Sequence, residues 1–190
     1  MTKPVSAALN TQRRAFEVAS QGALIVGASF FVALCAHITV PLPFTPVPLT
    51  VQNFGVLLVG LLLGSRRGFA ALTLYLAEGA MGLPVFSPLG PGGIAQLLGP
   101  TGGYLVMYPL VAGLAGFIFE TGARTFARAA IASLLAEILL FAGGVGWLFV
   151  LTHSLARAAY LGLYWFVAAE ILKVMFAALI AVRWRKERLT

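Results

Sequence analysis

The sequence predicts an all-α integral membrane protein with six transmembrane helices, both termini cytoplasmic and ordered loops on the outer side. Three observations carry this. First, 60 % of the 190 residues are hydrophobic and 10 % are charged, against roughly a quarter charged in soluble domains. Second, no Asp, Glu, Lys or Arg occurs from Val18 to Ser65 or from Gly79 to Phe119. Each stretch is about twice the ~20 apolar residues that cross a bilayer, so each holds two spans and a turn. Third, all thirteen basic residues except Arg157 and Lys173 fall on one side of a six-span arrangement. That bias predicts a multi-pass protein of the cell (inner, cytoplasmic) membrane. A soluble domain and a disordered tail are excluded. The net charge of +7 is not a nucleic-acid signal, because the charges sit at the ends and in short loops; the expected surroundings are the lipid bilayer.

One membrane domain over residues 1–190 is expected, with spans at about 16–40, 48–64, 68–83, 101–119, 128–151 and 158–182. All read as helices, since an open strand leaves its backbone groups unsatisfied in lipid. A β-barrel needs alternating polarity, and Leu57 to Leu63 is apolar on every side. The first span follows basic residues, as in a signal peptide, but its apolar run is too long for one and further spans follow. It carries Ser29 and Ala33, and Ala23 and Gly27, each pair four apart. Small residues one turn apart let another helix approach closely, either within the chain or from a partner. Cys35 has no second cysteine to pair with.

The two outer connections are unlike ordinary loops. Pro41, Pro43, Pro46 and Pro48 stiffen the segment between spans one and two. Half of the residues from Gly82 to Gly103 are Gly or Pro, and the others are mostly apolar. This points to a lid packing back onto the helices, with a plain turn as the alternative. Gly92, Gly93, Gly102 and Gly103 would bring free backbone N–H groups close to a ligand.

Four ionisable groups lie inside spans: Glu78, Glu137, Glu170 and Lys173. A charge there is costly unless paired or facing water. Glu170 and Lys173 share one helix face at a spacing of three. Together they offer an acceptor and a donor to one neutral polar ligand, or else form a structural ion pair. Glu78 and Glu137 read as structural contacts to other helices. His37 and His153 have no companions at ligand spacing, so no metal is expected. Ser154 beside His153 is not a triad, and no phosphate loop is present. No enzyme activity and no cofactor are expected, and any ATP-driven step needs another subunit.

Several motifs match a known pattern. The run Pro41-Leu-Pro-Phe-Thr-Pro-Val-Pro-Leu-Thr-Val-Gln-Asn53 resembles the first outer loop of the BioY family. Leu61 to Gly68, Gly82 to Phe86, and Leu98 to Tyr104 resemble it as well. The likeness covers Ser20 to Val182. It implies a biotin-specific S component of an energy-coupling-factor (ECF) transporter, working with a transmembrane coupling subunit and two ATPase subunits. It also implies that the first helix, at Ser29 and Ala33, meets the coupling subunit.

The family's Asp-x-x-Lys, which contacts the ureido ring, is matched by Glu170 and Lys173. Phe44, Val47, Phe86 and Tyr104 are expected around the thiophane and valeryl parts. A loop Asn found in some members is missing from Pro88–Gly93, and an Arg after the tyrosine is replaced by Leu105. The ligand carboxylate is then left to backbone N–H groups, Gln52, Asn53 or Gln96. The alternatives are an S component for another vitamin, or a self-sufficient proton-coupled transporter using Glu78, Glu137 or Glu170.

Overall fold

A computed structural model describes the backbone of residues 3–187 and the side chains of 12–184. Of the expected topology signal, Lys3, Arg185, Lys186 and Arg188 lie outside the described side chains. Among the described residues the chain is helical apart from two short paired strands. Helix α1 (Lys3–His37) ends where the His37 ring nitrogen Nδ1 lies 2.8 Å from the Ala33 carbonyl oxygen. Strand β1 (Thr39–Val40) pairs antiparallel with β2 (Leu49–Thr50), Thr39 opposite Thr50. The proline-rich segment between them therefore closes as a hairpin. Its prolines and their predecessors resist helix, so the first two helices are shorter than the expected spans at their facing ends: α1 stops at His37 and α2 (Gln52–Leu63) starts after Pro48.

Gly64, at φ +83°, makes the one-residue turn into α3 (Ser65–Ala80), a conformation that side chains disfavour. The second long connection contains a six-residue helix, α4 (Gly93–Leu98). Then come α5 (Gly102–Glu120) and α6 (Phe126–Thr152). The Thr125 hydroxyl caps α6 by accepting from the Arg128 N–H at 3.3 Å. The expected sixth span is broken into α7 (Leu155–Gly162) and α8 (Val167–Glu187), bent by 52°.

Side chains from distant parts of the chain support that break. Carbonyls in the last turn of a helix lack intrahelical partners. Here the Thr45 hydroxyl donates to the Leu161 carbonyl and the Tyr104 hydroxyl to the Gly162 carbonyl, each at 2.6 Å. A side chain at Gly162 would also collide with the Tyr104 hydroxyl.

Helix α5 is central, packing on α2, α3 and α6, while α8 packs on α2 and α6. Close approach comes from small residues: a Cβ at Gly60 would stand 2.4 Å from the Ala112 carbonyl oxygen. Gln12–His37, α5 and α6 are each long and apolar enough to cross a membrane, and the bent pair passes the same test as one unit. Their outward side chains, such as Phe30, Leu34, Phe117 and Ile138, are apolar and exposed.

The bundle has two unlike ends. At one, Glu120 accepts from the backbone N–H and the hydroxyl of Ser65, and Arg128 donates to the Ile118 carbonyl at 2.6 Å. At the other gather the hairpin, the α3–α5 connection and the α7–α8 break.

Candidate ligand-binding site

The cavity at this second end is walled by α2, α5, α6 and α8 and roofed by the loops. About 570 Å³ of space, its open mouth included, lies among the lining residues. Its apolar wall includes Val47, Pro48, Leu105, Leu140, Phe141 and Phe166. Its polar groups come from α2, α5 and α8 and from the covering loops.

Lys173 and Glu170 form the centre. The Lys173 ammonium donates to Glu170 Oε1 and to the Thr50 carbonyl oxygen, each at 2.6 Å. The i, i+3 spacing on α8 creates the first contact, and the β2 strand delivers the second. Across the cavity the Asn53 carboxamide nitrogen donates to Glu170 Oε2 at 2.6 Å. The same nitrogen reaches both Glu137 oxygens, at 2.8 and 3.0 Å. Asn53, Glu137 and Glu170 are all buried, and the Asn53 Oδ1 atom has no partner. Two carboxylates thus share one ammonium and one carboxamide. Charged groups out of water hold their places only when hydrogen-bonded in this way.

The roof is tied down by side chains. Gln52 Nε2 donates to the Tyr75 hydroxyl at 2.8 Å, and that hydroxyl donates to the Val85 carbonyl at 2.9 Å. Gln96 accepts from the Gly92 N–H at 3.1 Å and donates to the Ser87 carbonyl at 3.4 Å. The Trp147 indole holds the Gly99 carbonyl at 2.9 Å. These bonds make the long Gly/Pro-rich connection an ordered cover packed on the helices.

Of the residues expected at the site, Val47, Gln52, Asn53, Gln96, Tyr104, Glu170 and Lys173 line the cavity. Phe44 does not: it is partly exposed and stacks on Trp165, ring centroids 4.2 Å apart. Phe86 does not either, being buried edge-on against Tyr75 and filling the space beside Gly79. Gly92, Gly93, Gly102 and Gly103 stand outside the lining. Gly102 and Gly103 serve packing, since side chains there would strike the Leu97 carbonyl and Trp147. Asn53 was expected as a donor to a carboxylate, but Glu137 and Glu170 occupy its donor nitrogen.

Ser29 and Ala33 are buried within the chain itself, and the Ser29 hydroxyl donates to Glu78 of α3. The small-residue face at these two positions is thus internal packing, and Glu78 is the structural contact expected of it.

Reading the sequence missed Tyr108, Leu140, Phe141 and Phe166 in the wall. Tyr108 had a signal, lying four residues after Tyr104 on the same helix face. The Glu137–Asn53 contact had none, as its partners are 84 residues apart.

Fold and site together define a multi-pass helical membrane protein with a small-molecule pocket at one end of its bundle. The chain belongs to the BioY family, whose model matches residues 6–189. It is 38 % identical over 165 residues to the biotin transporter BioY of Thermotoga maritima, covering 85 % of this chain and 95 % of that one. It is 37 % identical over 139 residues to the probable biotin transporter BioY of Pyrococcus horikoshii, covering 73 % and 80 %. A solved structure of the S-component for biotin from an ECF-type ABC transporter superposes with a TM-score of 0.81. That match has 28 % identity and covers 90 % of this chain and 93 % of the other.

Proposed function

We propose that this chain is the substrate-binding S component of an ECF transporter and captures biotin from outside the cell. The observation that carries this is the Glu170–Lys173 pair, its carboxylate buried and its ammonium half-buried, facing a mostly apolar cavity. Glu170 accepts from the ureido ring's N–H side. Lys173 has three N–H donors and uses two of them on Glu170 and Thr50, which leaves one for the ureido oxygen. Val47, Phe141, Phe166 and Tyr104 surround the apolar parts. Gln52 and Gln96 line the same cavity and supply donors for the ligand carboxylate.

The chain forms one membrane domain over 1–190 with six spans: α1, α2, α3, α5, α6 and the α7–α8 pair. Both termini face the cytoplasm of the inner membrane. The support is the placement of Arg13, Arg14, Arg66, Arg67, Arg124 and Arg128 at the end opposite the cavity. ATP hydrolysis belongs to two partner ATPases joined through a transmembrane coupling subunit.

The test is isothermal titration of the purified chain in detergent. One biotin per chain, bound without ATP, is expected. No heat with biotin, but heat with thiamine or riboflavin, overturns the ligand assignment.

A further inference from the structure

Glu137 does not line the cavity, yet it touches the lining residue whose fully buried side-chain acceptor is left unpaired, Asn53. Asn53 is 5 % exposed, and its Oδ1 is buried without a hydrogen-bond partner. A buried acceptor left unpaired costs the full desolvation of that group. Its orientation follows from the neighbours. The nitrogen is the only donor on an asparagine side chain. Three carboxylate oxygens, two from Glu137 and one from Glu170, lie within 3.0 Å of it. Turning the amide over would set Oδ1 against those oxygens, so the network fixes which atom faces which way.

Resting on the biotin reading above, we infer that Glu137 is a positioning residue: it holds the Asn53 carboxamide so that Oδ1 is presented to one ureido N–H of the ligand. A urea carries two N–H groups flanking one carbonyl. Glu170 takes one N–H, Asn53 Oδ1 takes the other, and Lys173 takes the oxygen. Glu170 cannot orient Asn53 alone, because the ligand N–H and Lys173 draw on the same carboxylate. Glu137, behind Asn53, is free of that competition. The pair thereby supplies from α2 and α6 a polar contact that the loop Pro88–Gly93 has no side chain to make.

Two conservative variants separate contact from charge. Glu137→Gln keeps an acceptor oxygen at the same reach and removes the charge. Glu137→Asp keeps the charge and withdraws it by one bond, roughly 1.5 Å. Each purified variant is titrated with biotin and with the two analogues methylated on one ureido nitrogen, and its unfolding midpoint is recorded. In the wild type, methylation at the nitrogen facing Asn53 weakens binding more than tenfold. Glu137→Gln binds biotin within about threefold of wild type and keeps that discrimination. Glu137→Asp binds biotin more than tenfold more weakly and loses discrimination at that nitrogen only. Wild-type affinity in Glu137→Asp overturns the inference. So does equal weakening in both variants with discrimination unchanged, which is the mark of a structural carboxylate. Absence of biotin binding by the wild type overturns the ligand reading instead.

Discussion

Lys173 and Glu170 show how much one pair of side chains carries. Their contacts span α8, β2 and α2, so removing either strands the other at the cavity wall. Truncating one partner of a desolvated, hydrogen-bonded pair typically costs ~2–5 kcal/mol, and each 1.4 kcal/mol is a factor of ten. Glu170→Gln and Lys173→Met are each expected to weaken biotin binding more than tenfold, with the fold retained. Calorimetric titration measures the first and circular dichroism the second; near-wild-type affinity in both would make the pair purely structural. This pair was legible because a helix face is a local property of sequence. Its partner Asn53 was legible as polar and nearby in motif, but not as the bridge it is, with Glu170 117 residues away. Phe44 and Phe86 were placed at the ligand because their motifs suggest it. A motif does not say where a ring points, and these rings point at Trp165 and Tyr75.

At the level of elements, the apolar runs gave every long helix, because burial of backbone polar groups in lipid leaves no other structure. The boundaries shifted where tertiary contacts decide them. Helix α2 waits until Gln52 because the hairpin claims Leu49 and Thr50. The helix expected as a sixth span is broken into α7 and α8, where Thr45 and Tyr104 take the carbonyls, a bond pattern no window of sequence contains.

Helix contact rests on backbone proximity at Gly60, where added atoms would meet the Ala112 carbonyl. Overpacking of this kind costs about 1–3 kcal/mol. Gly60→Leu is therefore expected to lower the unfolding midpoint followed by circular dichroism. Gly27→Leu, at a position with open space within 4 Å, should leave it unchanged. Equal midpoints would mean that α2 and α5 adjust freely.

For the molecule as a whole, the division of labour is between ends. One end is knitted by Glu120 and Arg128, and basic residues crowd it. The other holds the pocket beneath two ordered covers. Between them the helices show lipid-like exteriors, with Phe30, Phe117 and Leu172 exposed. Arg128, expected only as a topology marker, also secures the end of α5 through the Ile118 carbonyl.

The Phe44–Trp165 contact joins the proline hairpin to the α7–α8 break, beside the cavity wall at Val47 and Phe166. An indole at such a seam is a built-in optical gauge. The chain has three tryptophans; Trp147 is anchored on the Gly99 carbonyl, and Trp184 sits far down α8. Ligand seated under the hairpin alters the surroundings of Trp165 above all. Biotin should therefore change the intrinsic fluorescence of the wild-type chain and leave that of Trp165→Phe nearly flat. An undiminished response in the variant would place the moving part elsewhere. With the expected result, opening and closing of the cover can be followed in unlabelled protein, at the speed of a stopped-flow mixer.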